Sequence, residues 1–190
     1  MEACLRELKG LDWEPCIEHD KGIPEAQNAV IMKALDCHCD LIWMIEEDIV
    51  PPPGVLLAMM SRLIDGTRVV SARYKIRENL WCDVQHKNKL VFAGLGCLLI
   101  EASVFAELQY PFFRSDIEYT HEAGTLRRVR VLTEHEQLSC YGKQDIHFFY
   151  TLQEAGIHAE IHPMECEHLR IAALGQPMTN IGFHKVVAIT

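Results

Sequence analysis

Leu41-Ile42-Trp43-Met44-Ile45-Glu46-Glu47-Asp48-Ile49-Val50-Pro51-Pro52-Pro53 is the stretch on which the reading of this chain turns. Five apolar residues in a row are too few for a helix of ordinary length. Stopped by three acids and a run of prolines, they predict a short buried strand, of the kind that sits inside a parallel sheet. The three carboxylates then follow a strand end, the place where open α/β sheets hold their ligands.

The pattern on either side supports this. Apolar spacing predicts a helix over Glu25–Leu35, another over Gly54–Leu63 and a strand over Arg68–Tyr74. Cys16–His19 is a candidate short strand, with a turn at Gly22 and Pro24. Residues 79–89 read as a loop, and Leu90–Ile100 as an apolar run containing Gly94 and Gly96. A short helix is expected over Ala102–Leu108, while Arg114–His135 is rich in charge and poor in period. Tyr141-Gly142 predicts a turn into a helix over Lys143–Ala155, ended by Gly156. A strand is expected over Ile157–His162, and residues 171–190 as a C-terminal tail. Alternation of helix and strand implies one α/β domain over residues 1–190, with a mostly parallel sheet flanked by helices.

Composition narrows the function. The 190 residues are 49% hydrophobic, enough for a core, and the formal net charge is −9. A chain so acidic lacks the basic face that nucleic acid requires. No stretch of about 18 uncharged apolar residues marks a membrane span. The first ten residues carry Glu2, Arg6, Glu7 and Lys9 and do not read as an export signal. The eight cysteines are therefore expected as reduced thiols in the cytoplasm.

Three groups of residues carry chemistry. Glu46, Glu47 and Asp48 can hold a hard cation, Mg²⁺ or Mn²⁺, through oxygen ligands. Gly142-Lys143-Gln144-Asp145 opens a helix, where Asp145 is either a helix cap or a general base. His168, in Cys166-Glu167-His168, lies beyond a strand end and can join the carboxylates at a metal.

In this order the segments resemble family 2 glycosyltransferases of the GT-A fold. Leu41–Pro52 resembles that family's strand, acidic triplet and prolines. Tyr141–Phe149 looks like its Gly-X-Glu-Asp-X-X-Phe segment. Gly94–Ile100 is similar to its glycine-containing strand beside the acceptor, and Lys21–Asn28 to the segment before the acidic strand. The resemblance covers roughly residues 20 to 170. It implies a nucleotide-diphosphate sugar as donor, an acceptor of unknown identity, and possible oligomer formation. It further implies metal ligation by Glu46, Asp48 and His168, donor contacts from Lys21, Gly22, Asn28 and Glu47, and Asp145 as inverting base. Gly94, Gly96 and Gln144 then stand on the acceptor side. Glu46 replaces the family's first Asp, Gln144 its Glu and Gln27 its Arg, and the family's first strand is expected to be missing.

Two other readings fit the residues. The domain can be a degenerate relative that binds a sugar or a partner without turnover. Alternatively, Cys37, Cys39, Cys166 and His168 can form a tetrahedral zinc site in a structural protein.

Overall fold

The computed structural model describes residues 8–18, 21–78, 80–137, 143–169 and 184–190. The turn expected at Tyr141-Gly142 and most of residues 171–190 lie outside them. Strand outweighs helix, 41% against 28%.

The elements run β1 (Trp13–Glu18), α1 (Ile23–Asp36), β2 (Leu41–Glu46), β3 (Ile49–Val50), α2 (Val55–Ile64), β4 (Val69–Arg77) and β5 (Leu80–Trp81). Next come β6 (Asp83–His86), β7 (Lys89–Ala93), β8 (Cys97–Glu101) and a 3-10 turn (Ala102–Ala106). Then follow β9 (Ile117–Glu122), β10 (Thr125–Val131), α3 (Glu134–Gln137), α4 (Lys143–Glu154), β11 (Ala159–His168) and β12 (His184–Ile189). The main sheet has the order β1-β12-β2-β8-β4-β11-β3, with β5 paired to β4. β6–β7 and β9–β10 are separate hairpins.

This corrects the expected GT-A-like, mostly parallel sheet. β1, β2, β4 and β11 do run the same way, but β12 and β8 are inserted between the first three in the opposite sense. Only β4 and β11 are parallel neighbours, so the sheet is mixed and its ladders are mainly antiparallel. The apolar run of β2 has another cause. Ile42 and Met44 pack with α1, α4 and the Phe112-Phe113 segment, while Trp43 packs on the opposite face with α2. Alternate residues point to opposite faces, so a strand covered on both sides must be apolar throughout, whatever the direction of its neighbours.

Other boundaries moved as well. The loop expected over residues 79–89 contains β5 and β6, with β7 beginning at Lys89. The patternless segment 114–135 contains the β9–β10 hairpin, turned at Ala123 and Gly124, both with positive φ. The tail contains β12, a strand in the middle of the sheet. A strand, β1, precedes α1, although the first strand was expected to be missing; it lies at the sheet edge beside β12.

Candidate functional site

The four co-directional strands end at one edge of the sheet. Register places Glu18 opposite His184, and His184 opposite Glu46. Glu18, at the end of β1, therefore lies about two strand spacings, roughly 10 Å, from Glu46. Cys97 pairs with Ile45, which brings Gly94–Gly96 to the same edge. Cys166 pairs with Tyr74, and His168 with Ile49 in β3, adding the end of β11.

At the centre of this edge, His168 Nε2 lies 2.9 Å from Asp48 Oδ2. The same ring's Nδ1 lies 2.9 Å from the Lys75 carbonyl oxygen. A carbonyl can only accept, so Nδ1 carries the proton. Nε2 then meets the carboxylate oxygen in one of two ways: through its own proton, as a hydrogen bond at 2.9 Å, or through a cation between the two atoms. Metal-binding histidines commonly donate their other N–H to a carbonyl in this way. Adjacent ligands of an octahedral ion with bonds of about 2.1 Å are about 3.0 Å apart, which matches the observed pair. Among the described residues, no group of three His, Cys, Asp or Glu side chains is arranged to hold a metal ion.

Glu46 faces this pair without joining it as a third ligand. Burial pushes its carboxyl up to about 7, with Asp48 adding to the rise, His168 opposing it and the exposed Glu47 contributing further. Asp145, in the first turn of α4, is also raised well above the usual carboxylate range, by burial and then by Glu46. One of its oxygens accepts a hydrogen bond from the Leu95 N–H, while Oδ1 is buried with no partner among the described residues. A buried, unsatisfied carboxyl oxygen costs stability unless something bonds to it. Gln144 beside it is buried.

Tyr74 joins these groups, and the sequence reading missed it. Its hydroxyl accepts from Gly96 N–H at 3.2 Å, and its ring meets His168 edge-on with centroids 5.7 Å apart. Burial, Glu46 and Asp145 all push its hydroxyl upward. Both glycines are needed for this approach. A Cβ on Gly94 would lie 2.0 Å from the Tyr74 hydroxyl, and one on Gly96 would lie 2.7 Å from Ile49 Cγ1. Gly94 and Gly96 thus make room for Tyr74. The only sequence sign of this was a tyrosine at a strand end and two glycines in an apolar run.

The expected donor residues divide. Gly22 caps α1 at this edge, and Lys21 pairs with Glu18 at 2.9 Å. Lys33 and Lys21 together hold the Glu18 carboxyl down at about 2. Asn28 is used within the fold. Its Nδ2 donates to Pro24 and Phe113 carbonyls at 2.8 Å each, and its Oδ1 accepts from Phe112 and Phe113 N–H at 2.8 and 3.2 Å. These four bonds exhaust the amide, so Asn28 fastens α1 to the 112–113 segment. The zinc set does not assemble. Cys37 and Cys39 precede β2 and His168 ends β11, so roughly 20 Å of strand separates them. The Cys37 and Cys39 thiols instead donate to the Lys33 and Ala34 carbonyls at 3.2 Å.

No protein-family model matches the chain, and no curated protein matches it either. Among solved structures, the fold is similar to the viral protein A197 from STIV, with a TM-score of 0.55 at 14% identity. The likeness covers 78% of this chain and 68% of that one, and at this identity it speaks of fold alone. No helix among the described residues is long and apolar enough to cross a membrane.

Proposed function

We propose that this edge of the sheet is the site of a metal-dependent glycosyltransferase, which moves a sugar from a nucleotide-diphosphate donor to an acceptor hydroxyl with inversion. The observation that carries the proposal is the Asp48–His168 pair, spaced like adjacent ligands of one ion and oriented by the Lys75 carbonyl. Asp48 and His168 would hold Mn²⁺ or Mg²⁺, with Glu46 within electrostatic reach. Such an ion supplies charge neutralisation for a departing diphosphate. The N-terminus of α1, at Lys21 and Gly22, offers backbone N–H groups of the kind that bind phosphate.

Asp145 enters from a separate helix. Its Oδ1, unpartnered among the described residues, leaves a carboxyl oxygen for an attacking hydroxyl. Burial and Glu46 favour its protonated form, so a bound cation that draws the Glu46 charge away would be needed for it to serve as the base. The free thiols at all six described cysteines are compatible with the reducing cytoplasm as the compartment.

Electron paramagnetic resonance titration with Mn²⁺ tests the metal half. The wild type should bind, and Asp48→Ala and His168→Ala should each weaken binding by about 100-fold. No binding by the wild type, or wild-type affinity in either variant, removes the proposal. Release of nucleoside diphosphate from a panel of sugar donors tests the transfer half. Donor binding without release under any acceptor would favour a sugar-binding domain without turnover.

A further inference from the structure

Cys37-His38-Cys39, at the end of α1, takes no part in the carboxylate edge, but it meets another thiol. Four residues link β1 to α1, so α1 returns along β1 in the opposite sense. Lys33 fastens its last turn there. The Lys33 Nζ donates to the Ile17 carbonyl at 3.1 Å and pairs with the Glu18 carboxylate. Cys37 lies four residues further on, on the same face of the helix. Cys16 lies two residues before Glu18, on the same buried face of β1. Four helical residues rise about 6 Å and two strand residues about 7 Å. The contact that sets Lys33 on Glu18 therefore also sets Cys37 on Cys16, and a hydrogen bond joins these two side chains. Cys37 Sγ donates to the Lys33 carbonyl at 3.2 Å, so the Cys16 thiol is the donor between them.

The two thiols differ in access. Cys16 is 5% exposed, whereas Cys37 is half-buried and open to a small reagent. Burial, then the charge of Cys37 and its hydrogen bond, then Glu14 and Cys39, push the Cys16 thiol up to about 12. Cys16 is therefore unreactive until Cys37 is modified, which removes the Cys37 charge. Cys39 is buried and its thiol is engaged with the Ala34 carbonyl at 3.2 Å.

We propose that Cys37 and Cys16 form a redox-controlled staple: Cys37 reacts with a small-molecule disulfide, and Cys16 resolves the adduct into a bond between α1 and β1. The Cys37 thiolate attacks one sulfur of the reagent, whose S–S bond breaks and whose other half leaves as a thiol, taking up the Cys37 proton. Cys16 then attacks Cys37 Sγ and releases the second half, which takes up the Cys16 proton. Two cysteines lose two electrons, and one disulfide is reduced to two thiols. The staple sits at the end of α1 remote from Lys21 and Gly22, roughly 20 Å along the helix. It stands or fails independently of sugar transfer.

Treatment with glutathione disulfide, acid quenching, intact mass and peptide mapping test the proposal. The wild type should lose two hydrogens per chain, retain no glutathione and yield a Cys16–Cys37 linked peptide that dithiothreitol removes. The linked protein should unfold at higher urea concentration than the reduced one, because the bond restricts the unfolded chain. Cys16→Ala should instead accumulate glutathione on Cys37, at least about tenfold above the wild type. Cys37→Ser should leave Cys16 unmodified, and Cys39→Ser should keep the link. Four results in the wild type would overturn the proposal: no reaction at Cys37, a lasting glutathione adduct there, linkage of Cys37 to any other cysteine, or a linked protein no more resistant to urea than the reduced one. Thermal unfolding matched to the reduced wild type shows that each variant is folded, and the wild-type map decides the matter where a variant is not.

Discussion

The two ends of β2 are built from the same strand and treated in opposite ways. At its start the backbone is closed off. Asp40 N–H donates to the Ile189 carbonyl at 2.9 Å, and Ala102 N–H to the Asp40 carbonyl at 2.8 Å. Nearby, Arg68 bridges Glu101 and Glu107 at 3.0 and 2.8 Å. At the other end, Glu46 and Asp145 are pushed towards protonation, an Asp145 oxygen has no partner among the described residues, and His168 points a ring nitrogen at Asp48. A fold selected for stability alone would have satisfied both ends. Trp43 Nε1 and the Gln27 amide are also buried without a hydrogen bond among the described residues, so what sets this end apart is that its open groups are ionisable and cluster beyond a strand end.

The largest expected effect separates chemistry from stability. In Asp145→Asn, the amide oxygen can still accept from Leu95 N–H, and no buried carboxyl remains to be desolvated. The unfolding midpoint in urea should be unchanged or higher. Transfer should fall by roughly 10²–10⁴-fold, the usual contribution of a general base. Near-normal turnover would return Asp145 to a purely structural role.

The reverse is expected for the middle of the strand. Ile42 is fully buried between α1 and the sheet. Ile42→Ala should cost about 2–5 kcal/mol in urea unfolding while leaving Mn²⁺ affinity of the folded protein unchanged. A parallel loss of Mn²⁺ affinity would mean that the two ends of β2 are coupled through its core packing.

Sequence pattern made the strand and its acids legible, because burial on both faces writes a continuous apolar run. The same run misled on direction, since it records how many faces are covered and carries no information on the sense of the neighbours. β12 was illegible for a related reason. His184-Lys185-Val186-Val187-Ala188-Ile189 is too short and too far from any motif to announce that it slots between β1 and β2. The hairpin over residues 117–131 turns on Ala123-Gly124 rather than the usual Asn-Gly. The ligand-type residues of the site were legible as types at strand ends. Tyr74 and the Lys75 carbonyl were not, because their role comes from register across β4, β8 and β11, and register cannot be read from one strand.

The smallest effects come from titration, where Glu46 at the end of β2 and His147 on α4 should respond to pH with opposite sign. Glu46 rises from 4.5 to about 7 on folding. Between those values the folded state keeps a proton that the unfolded chain has released, so this contribution to stability is present at low pH and is lost as pH rises through the window. His147 falls from 6.5 to about 4. Between those values the unfolded chain holds the proton, so stability grows as pH rises and is complete above about pH 6.5. Each shift corresponds to at most roughly 3–4 kcal/mol. Urea unfolding in the presence of a chelator, at a series of pH values, isolates each group by difference. The stability of the wild type minus that of Glu46→Gln should decline from pH 4.5 to 7. The stability of the wild type minus that of His147→Asn should climb from pH 4 to 6.5. A flat first difference would mean that the Glu46 carboxyl is solvated, and the acidic edge would lose the tension that distinguishes it from the closed end of β2. A flat second difference would mean that His147 is not held neutral beside Arg128. Two slopes of the same sign would contradict the burial assigned to one of the two groups, and the sign itself would identify which one.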